Sequence, residues 1–254
     1  MAILALKLTL TPLLIAVASF AQRRWGPALG GLILGLPLTS GPVSVFLSVD
    51  QGSAFAARSA IGMLLGTVAT SVFCAVYVLT ARHSAWPLSA ALALAACTLA
   101  TFAASLLPQS LALAAAITFP ALLALIALIG RPATRATAMS PPWWDTPAQM
   151  AIAAAAVILI TGAAQLIGPM WSGLLAPLPV FSCVMGVFSH RHAGYSAAHG
   201  LLRGAVVGAP GTSAFLLVVG LLVRSGPLAV TYALATIAAF AVAGLSHRLF
   251  HGAA

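Results

Sequence analysis

Asp50 and Asp145 are the only carboxylate side chains in a chain of 254 residues. Chemistry that needs paired carboxylates is therefore not expected, and neither is a proton relay built on Asp or Glu. What remains is hydroxyls, backbone dipoles and a few cations. The densest such segment is Gly35-Leu36-Pro37-Leu38-Thr39-Ser40-Gly41-Pro42. Two prolines and two glycines sit where a helix should run. Proline lacks the backbone donor and clashes with the preceding turn, so the helix must break there. Ala176-Pro177-Leu178-Pro179-Val180-Phe181-Ser182-Cys183 is a second broken segment. Unwound backbone inside a membrane is tolerated only against protein or a wet cavity. Pro37, Thr39, Ser40, Gly41, Pro179 and Ser182 are thus candidate substrate-binding positions, with packing kinks as the alternative. Thr70-Ser71 and Thr212-Ser213 place further mid-span hydroxyls that face the same cavity or bond back to their own helix.

Three ionisable residues near or inside apolar runs are also candidates. Asp50 serves a cation or proton, caps the next helix, or sits in a solvated loop. Arg58 and Arg203 attract an anionic solute or lipid phosphate, or snorkel to the headgroups. His190, His192, His199, His247 and His251 gather on one side. No acid or accessible cysteine supports a metal there, so neither metal nor cofactor is expected. Cys74, Cys97 and Cys183 lie inside apolar runs and read as small buried residues.

These residues need elements to position them, and composition says which kind. Apolar residues make up 62% of the chain and charged ones 5%, too few to cover a water-facing surface. Apolar runs of about 20 residues, without alternation, specify membrane helices rather than a barrel. The net charge of +9 comes from scattered single cations, not a nucleic-acid patch. Nine spans are expected: 3–22, 28–49, 54–81, 86–107, 110–129, 148–167, 171–189, 196–223 and 227–248. The N-terminal run loosely resembles a signal peptide. Arg23-Arg24 behind it favour a retained first helix. A polar linker spans 131–149, with Thr146 as the expected cap of the sixth helix and Pro147 at its first position. Trp25, Trp86, Trp143, Trp144 and Trp171 mark span ends. Arg23, Arg24, Arg82, Arg131, Arg135, Arg191 and Arg248 fall on one side, and Lys7, Arg58 and Arg224 on the other. That bias puts the N-terminus out and the C-terminus in, as in a bacterial inner membrane.

The chain also matches itself. Shifted by 142 residues, Gly26–Arg82 aligns without a gap on Gly168–Arg224, with 19 of 57 positions identical. Gly26-Pro27 meets Gly168-Pro169, Leu36-Pro37 meets Leu178-Pro179, and Ser40 meets Ser182. Gly52 meets Gly194, Gly62 and Gly66 meet Gly204 and Gly208, and Thr70-Ser71 meets Thr212-Ser213. The two glycine pairs are expected to pack helices closely. The shift spans five helices, an odd number, so the copies must run in opposite directions. The expected organisation is repeat 1 over 1–107, a linking helix and linker over 108–146, and repeat 2 over 147–254. The paired broken helices resemble in outline the five-helix inverted repeats of bile-acid-symporter-like and drug/metabolite transporters. No motif of either family is present and no residue role carries over.

The fold class expected is thus an all-α polytopic membrane protein with two inverted repeats. The function expected is secondary transport of a small neutral or anionic solute by alternating access, with the site near the midplane. The chain is not expected to be an enzyme. Alternatives are a membrane-embedded enzyme acting on lipid, and a non-catalytic scaffold or subunit. Expected partners are membrane lipid and a small-molecule solute, with a homo-oligomer left open and nucleic acid excluded.

Overall fold

A computed structural model describes residues 2–38, 40–132, 144–167 and 179–251. Every regular element among them is helical. In chain order these are α1 (Ala2–Trp25), α2 (Pro27–Leu34), α3 (Ser40–Asp50), α4 (Ser53–Ala81), α5 (Trp86–Ser105), α6 (Leu111–Ile129), α7 (Asp145–Ile167), α8 (Val180–Leu222) and α9 (Leu228–His251). Five of them, α4, α5, α6, α8 and α9, are long and apolar enough to cross a membrane. The surface agrees with that reading: Leu99, Leu106 and Ile237 are 69%, 71% and 65% exposed. Apolar side chains in such numbers are tolerated against lipid, not against water.

The element boundaries follow local chemistry. Pro27 and Pro87 open α2 and α5, where a missing N–H costs nothing. Ser110 caps α6 by accepting the Leu113 N–H. The second expected span is two helices, α2 and α3, separated at 35–39. Gly52 and Gly194, which the 142-residue shift superposes, share one unusual backbone conformation: φ/ψ of 84°/165° and 76°/−174°. Only glycine adopts this region without strain.

Three boundaries differ from expectation. The seventh and eighth spans are not joined by a loop: α8 runs through 190–195 and bends only at Gly194. One left-handed glycine redirects the helix while both limbs, 180–193 and 195–222, keep helical geometry. The sixth helix starts at Asp145, so Thr146 lies inside it and does not cap it. Asp50 caps nothing: Gly52 holds the cap position of α4 without a side-chain bond. Thr39, Pro177 and most of the 131–149 linker lie outside the described residues.

The core is α4 against the second limb of α8, flanked by α5, α6 and α9. Ala56, Ala60 and Leu64 of α4 cluster with Phe215, Leu216 and Val219, whereas Phe73 and Tyr77 cluster with Leu202 and Val206. The start of α4 therefore meets the end of α8, and the two run antiparallel. α1 and α7 are also antiparallel: Ile15 shares a core with Ala153, Ser19 contacts Gln149 and Arg23 contacts Thr146.

α2 instead runs parallel to the second limb of α8, on a seam of glycines. A Cβ built on Gly31 would strike the Leu201 carbonyl, and one on Gly35 the Ala205 carbonyl. From the other side, one on Gly204 would strike the Ala28 carbonyl, and one on Gly208 would lie 2.6 Å from the Leu32 carbonyl oxygen. Two small-xxx-small faces thus bring backbones into direct contact. The packing expected of Gly62 is not found: no described atom comes within 4 Å of a Cβ placed there.

Candidate functional site

The break between α2 and α3 frees backbone groups. In an unbroken helix the Gly35 carbonyl would accept from residue 39. Here it accepts from the Thr212 hydroxyl of α8 at 2.7 Å. The chain then turns tightly, with Leu38 N donating to Leu36 O and Gly41 N to Pro37 O, both at 2.8 Å. A Cβ placed on Gly41 would lie 3.6 Å from the Phe215 ring.

Beside the break is a cleft of about 30 Å³ lined by Leu14, Ile33, Leu34, Leu36, Leu38 and Phe181. It has room for about one water molecule and an apolar lining. The other expected positions do not converge on it. Ser71 and Ser213 donate to the carbonyls of Thr67 and Ala209, one turn back on their own helices. Thr70 and Ser40 are half-buried. Ser182 is buried in hydrogen-bonding contact with the Cys74 thiol of α4, and Pro179 caps α8. Among the described residues, Thr212 is the hydroxyl of those singled out from the sequence that bonds across to the broken helix.

Replacing Thr212 with Val keeps its shape and leaves the Gly35 carbonyl without that donor. Leaving a half-buried carbonyl such as that of Gly35 unsatisfied costs up to the ~1–3 kcal/mol of a buried one. Thr212→Val is expected to lower the thermal midpoint in detergent clearly more than Ser213→Ala. Equal effects would mean the Thr212–Gly35 bridge contributes nothing.

The ionisable candidates separate sharply. Asp50 and Arg58 are exposed. Arg203 is 4% exposed and donates to the Phe250 carbonyl of α9 at 3.1 Å. His199, one turn earlier, lies against the Ile129 and Gly130 carbonyls that end α6. These two side chains therefore sit on the negative ends of two helix dipoles, which accounts for their burial.

The richest polar assembly was not among the expected positions. It lies where α1 ends, α7 begins and the first limb of α8 approaches its bend. Ser19 donates to the Gln149 side-chain oxygen at 3.2 Å, and the Gln149 amide donates to Asp145 at 2.8 Å. Gln22 donates to Ser189 at 2.8 Å, and Arg23 to Thr146 at 2.5 Å. His192 Nδ1 stands 3.0 Å from Asp145 Oδ1, with Trp144 and Phe188 edge-on to the imidazole. Tyr77 of α4 reaches His190 at 3.3 Å.

Asp145 corrects the sequence expectation. It is no linker residue in solvent but 2% exposed, and it forms the one ion pair among the described residues. The signal was present as spacing. Ser19/Gln22, Asp145/Gln149 and Ser189/His192 each lie three or four apart, on one helix face.

No known protein family, curated protein or solved structure matches this chain.

Proposed function

We propose that the protein is a secondary transporter in which two inverted copies, 1–107 and 147–254, rock against each other about the linking helix α6. Its cargo is a small neutral or anionic solute that passes the break between α2 and α3. The membrane is a bacterial inner membrane, crossed nine times with the N-terminus out.

The antiparallel pairing of copies carries this reading. The shift of 142 residues relates α1 to α7 and α4 to the second limb of α8. Each helix lies antiparallel against its own copy, as expected near a two-fold axis in the membrane plane. α6, which has no copy, packs on both α4 and α8. The matching Gly52 and Gly194 conformations support the same relation. The preference for neutral or anionic cargo follows from charge. One carboxylate is exposed and the other is paired, so the interior offers a cation nothing to bind.

The polar contacts between α1 and α7–α8 then hold one entrance shut. Flux of a mixed pool of small neutral and anionic metabolites should appear in proteoliposomes. In a background without native cysteines, a short bifunctional methanethiosulfonate bridge between Ser19→Cys and Gln149→Cys should stop it, and reductant should restore it. No protein-dependent flux, or flux indifferent to the cross-link, would refute the reading.

A further inference from the structure

The Asp145–His192 contact has a geometry that singles it out. The two atoms are at ion-pair distance, yet neither makes a hydrogen bond, because the ring N–H is not aimed at the oxygen. A well-aligned neutral imidazole would still bond a carboxylate. A misaligned one attracts it only through charge, and so only while it carries its second proton. Without that proton, Asp145 is a buried carboxylate with the Gln149 amide as its remaining donor. Leaving a buried charge unpaired is strongly unfavourable.

We propose that the Asp145–His192 pair is the transporter's proton site. One proton on His192 holds the α1–α7–α8 seam shut, and its loss to water at that face lets the seam open, which couples solute movement to proton movement. The inference rests on the transport reading for its purpose, but not for its chemistry.

The charged and titratable groups around the pair are few. α1 brings Arg23, tied to Thr146, and the exposed Arg24. α7 brings Asp145 itself. The first limb of α8 brings His190, engaged with Tyr77 of α4, and the exposed Arg191. No second acid faces the seam among the described residues. The sign is fixed: closure is favoured on the acid side, where the imidazole is charged.

Trp144 supplies a direct readout. Its ring lies 5.7 Å from the His192 ring, and a charged imidazole quenches indole emission. The full chain in neutral-lipid nanodiscs is titrated over roughly pH 5 to 9, the range that brackets histidine. Subtracting the Trp144→Phe protein isolates the Trp144 signal. That signal should rise with pH along a one-proton curve. His192→Gln should abolish the curve, Asp145→Asn should displace it to lower pH because the charged imidazole loses its carboxylate, and His190→Gln should keep it. Survival of the curve in His192→Gln would overturn the proposal.

A second measurement guards against variants that misfold. In a background without native cysteines, Ser19→Cys is labelled with a water-soluble maleimide and normalised to the exposed Arg24→Cys at each pH. The ratio should climb with pH while His192 is present and be pH-independent in His192→Gln. A ratio flat with pH in the His192 protein would also overturn the proposal. Titration without flux would sink the transport reading and leave the proton site. Flux with neither titration nor dependence on a pH gradient would do the reverse.

Discussion

Gly31→Ala and Gly204→Ala are each expected to destabilise the folded protein by at least 1–3 kcal/mol, the usual range for overpacking (about 1–3). The reason is what the new methyl group meets. At most crowded positions a flexible side-chain tip can swing aside. Here the obstacles are the Leu201 and Ala28 carbonyls, main-chain atoms inside two helices. Either α2 lifts off the second limb of α8, or a helix distorts. Both outcomes also disturb Gly35, whose carbonyl Thr212 holds one turn further along. Gly244→Ala is the matched comparison. It lies on exposed α9 with nothing within 4 Å of its added methyl. Alanine there should be neutral or stabilising by up to ~1 kcal/mol, because glycine is the weaker helix former. Thermal unfolding of the four proteins in one detergent checks this. Indistinguishable midpoints would show that α2 does not seat on α8 as described.

Asp145→Ala is expected to have the second large effect, up to about 3 kcal/mol, the low end of the cost of breaking a buried ion pair because His192 is 18% exposed. The loss has two parts. His192 loses the carboxylate beside it, and Gln149 loses the acceptor that oriented it between Asp145 and Ser19. The α1–α7 contact should weaken with it. Replacing both partners, Asp145→Leu with His192→Leu, should be milder than Asp145→Ala alone, since no uncompensated charge remains. Chemical denaturation of the single and double variants decides this. Additive losses would mean that the two side chains do not act as a pair.

Much of the architecture was legible because membranes simplify the code. Long apolar runs and their proline or glycine punctuation placed α4, α5, α6 and α9 close to their observed bounds. The split between α2 and α3 followed from Pro37 and its neighbours, since proline acts locally and needs no partner. The Gly194 bend was harder to read. A glycine behind a polar stretch resembles a loop, and only the helical geometry on both sides shows that the two helices meet at that one residue.

The site was less legible, for a physical reason. Hydroxyl-bearing residues in apolar runs are equally able to serve a ligand or their own helix. Ser71 and Ser213 took the second course, which depends on rotamers rather than on sequence. Gly31 and Gly35 carried the four-residue spacing of a close-packed face, but stood inside the segment whose prolines drew the reading. Asp145 was masked by its neighbours. Next to Pro141-Pro142 and Trp143-Trp144 it reads as a surface turn, and only the approach of α8 buries it.

The bend in α8 gives the molecule a lever. His192 stands two residues from Gly194, on the short arm, and the long arm, 195–222, is the rod on which α2, α4 and α9 rest. At 1.5 Å per residue that arm is about 42 Å long, so a pivot of about 5° at the fulcrum sweeps its tip by roughly 3–4 Å. Under the proposed proton site, a small displacement at the imidazole would thereby become one the width of an atom at the opposite face.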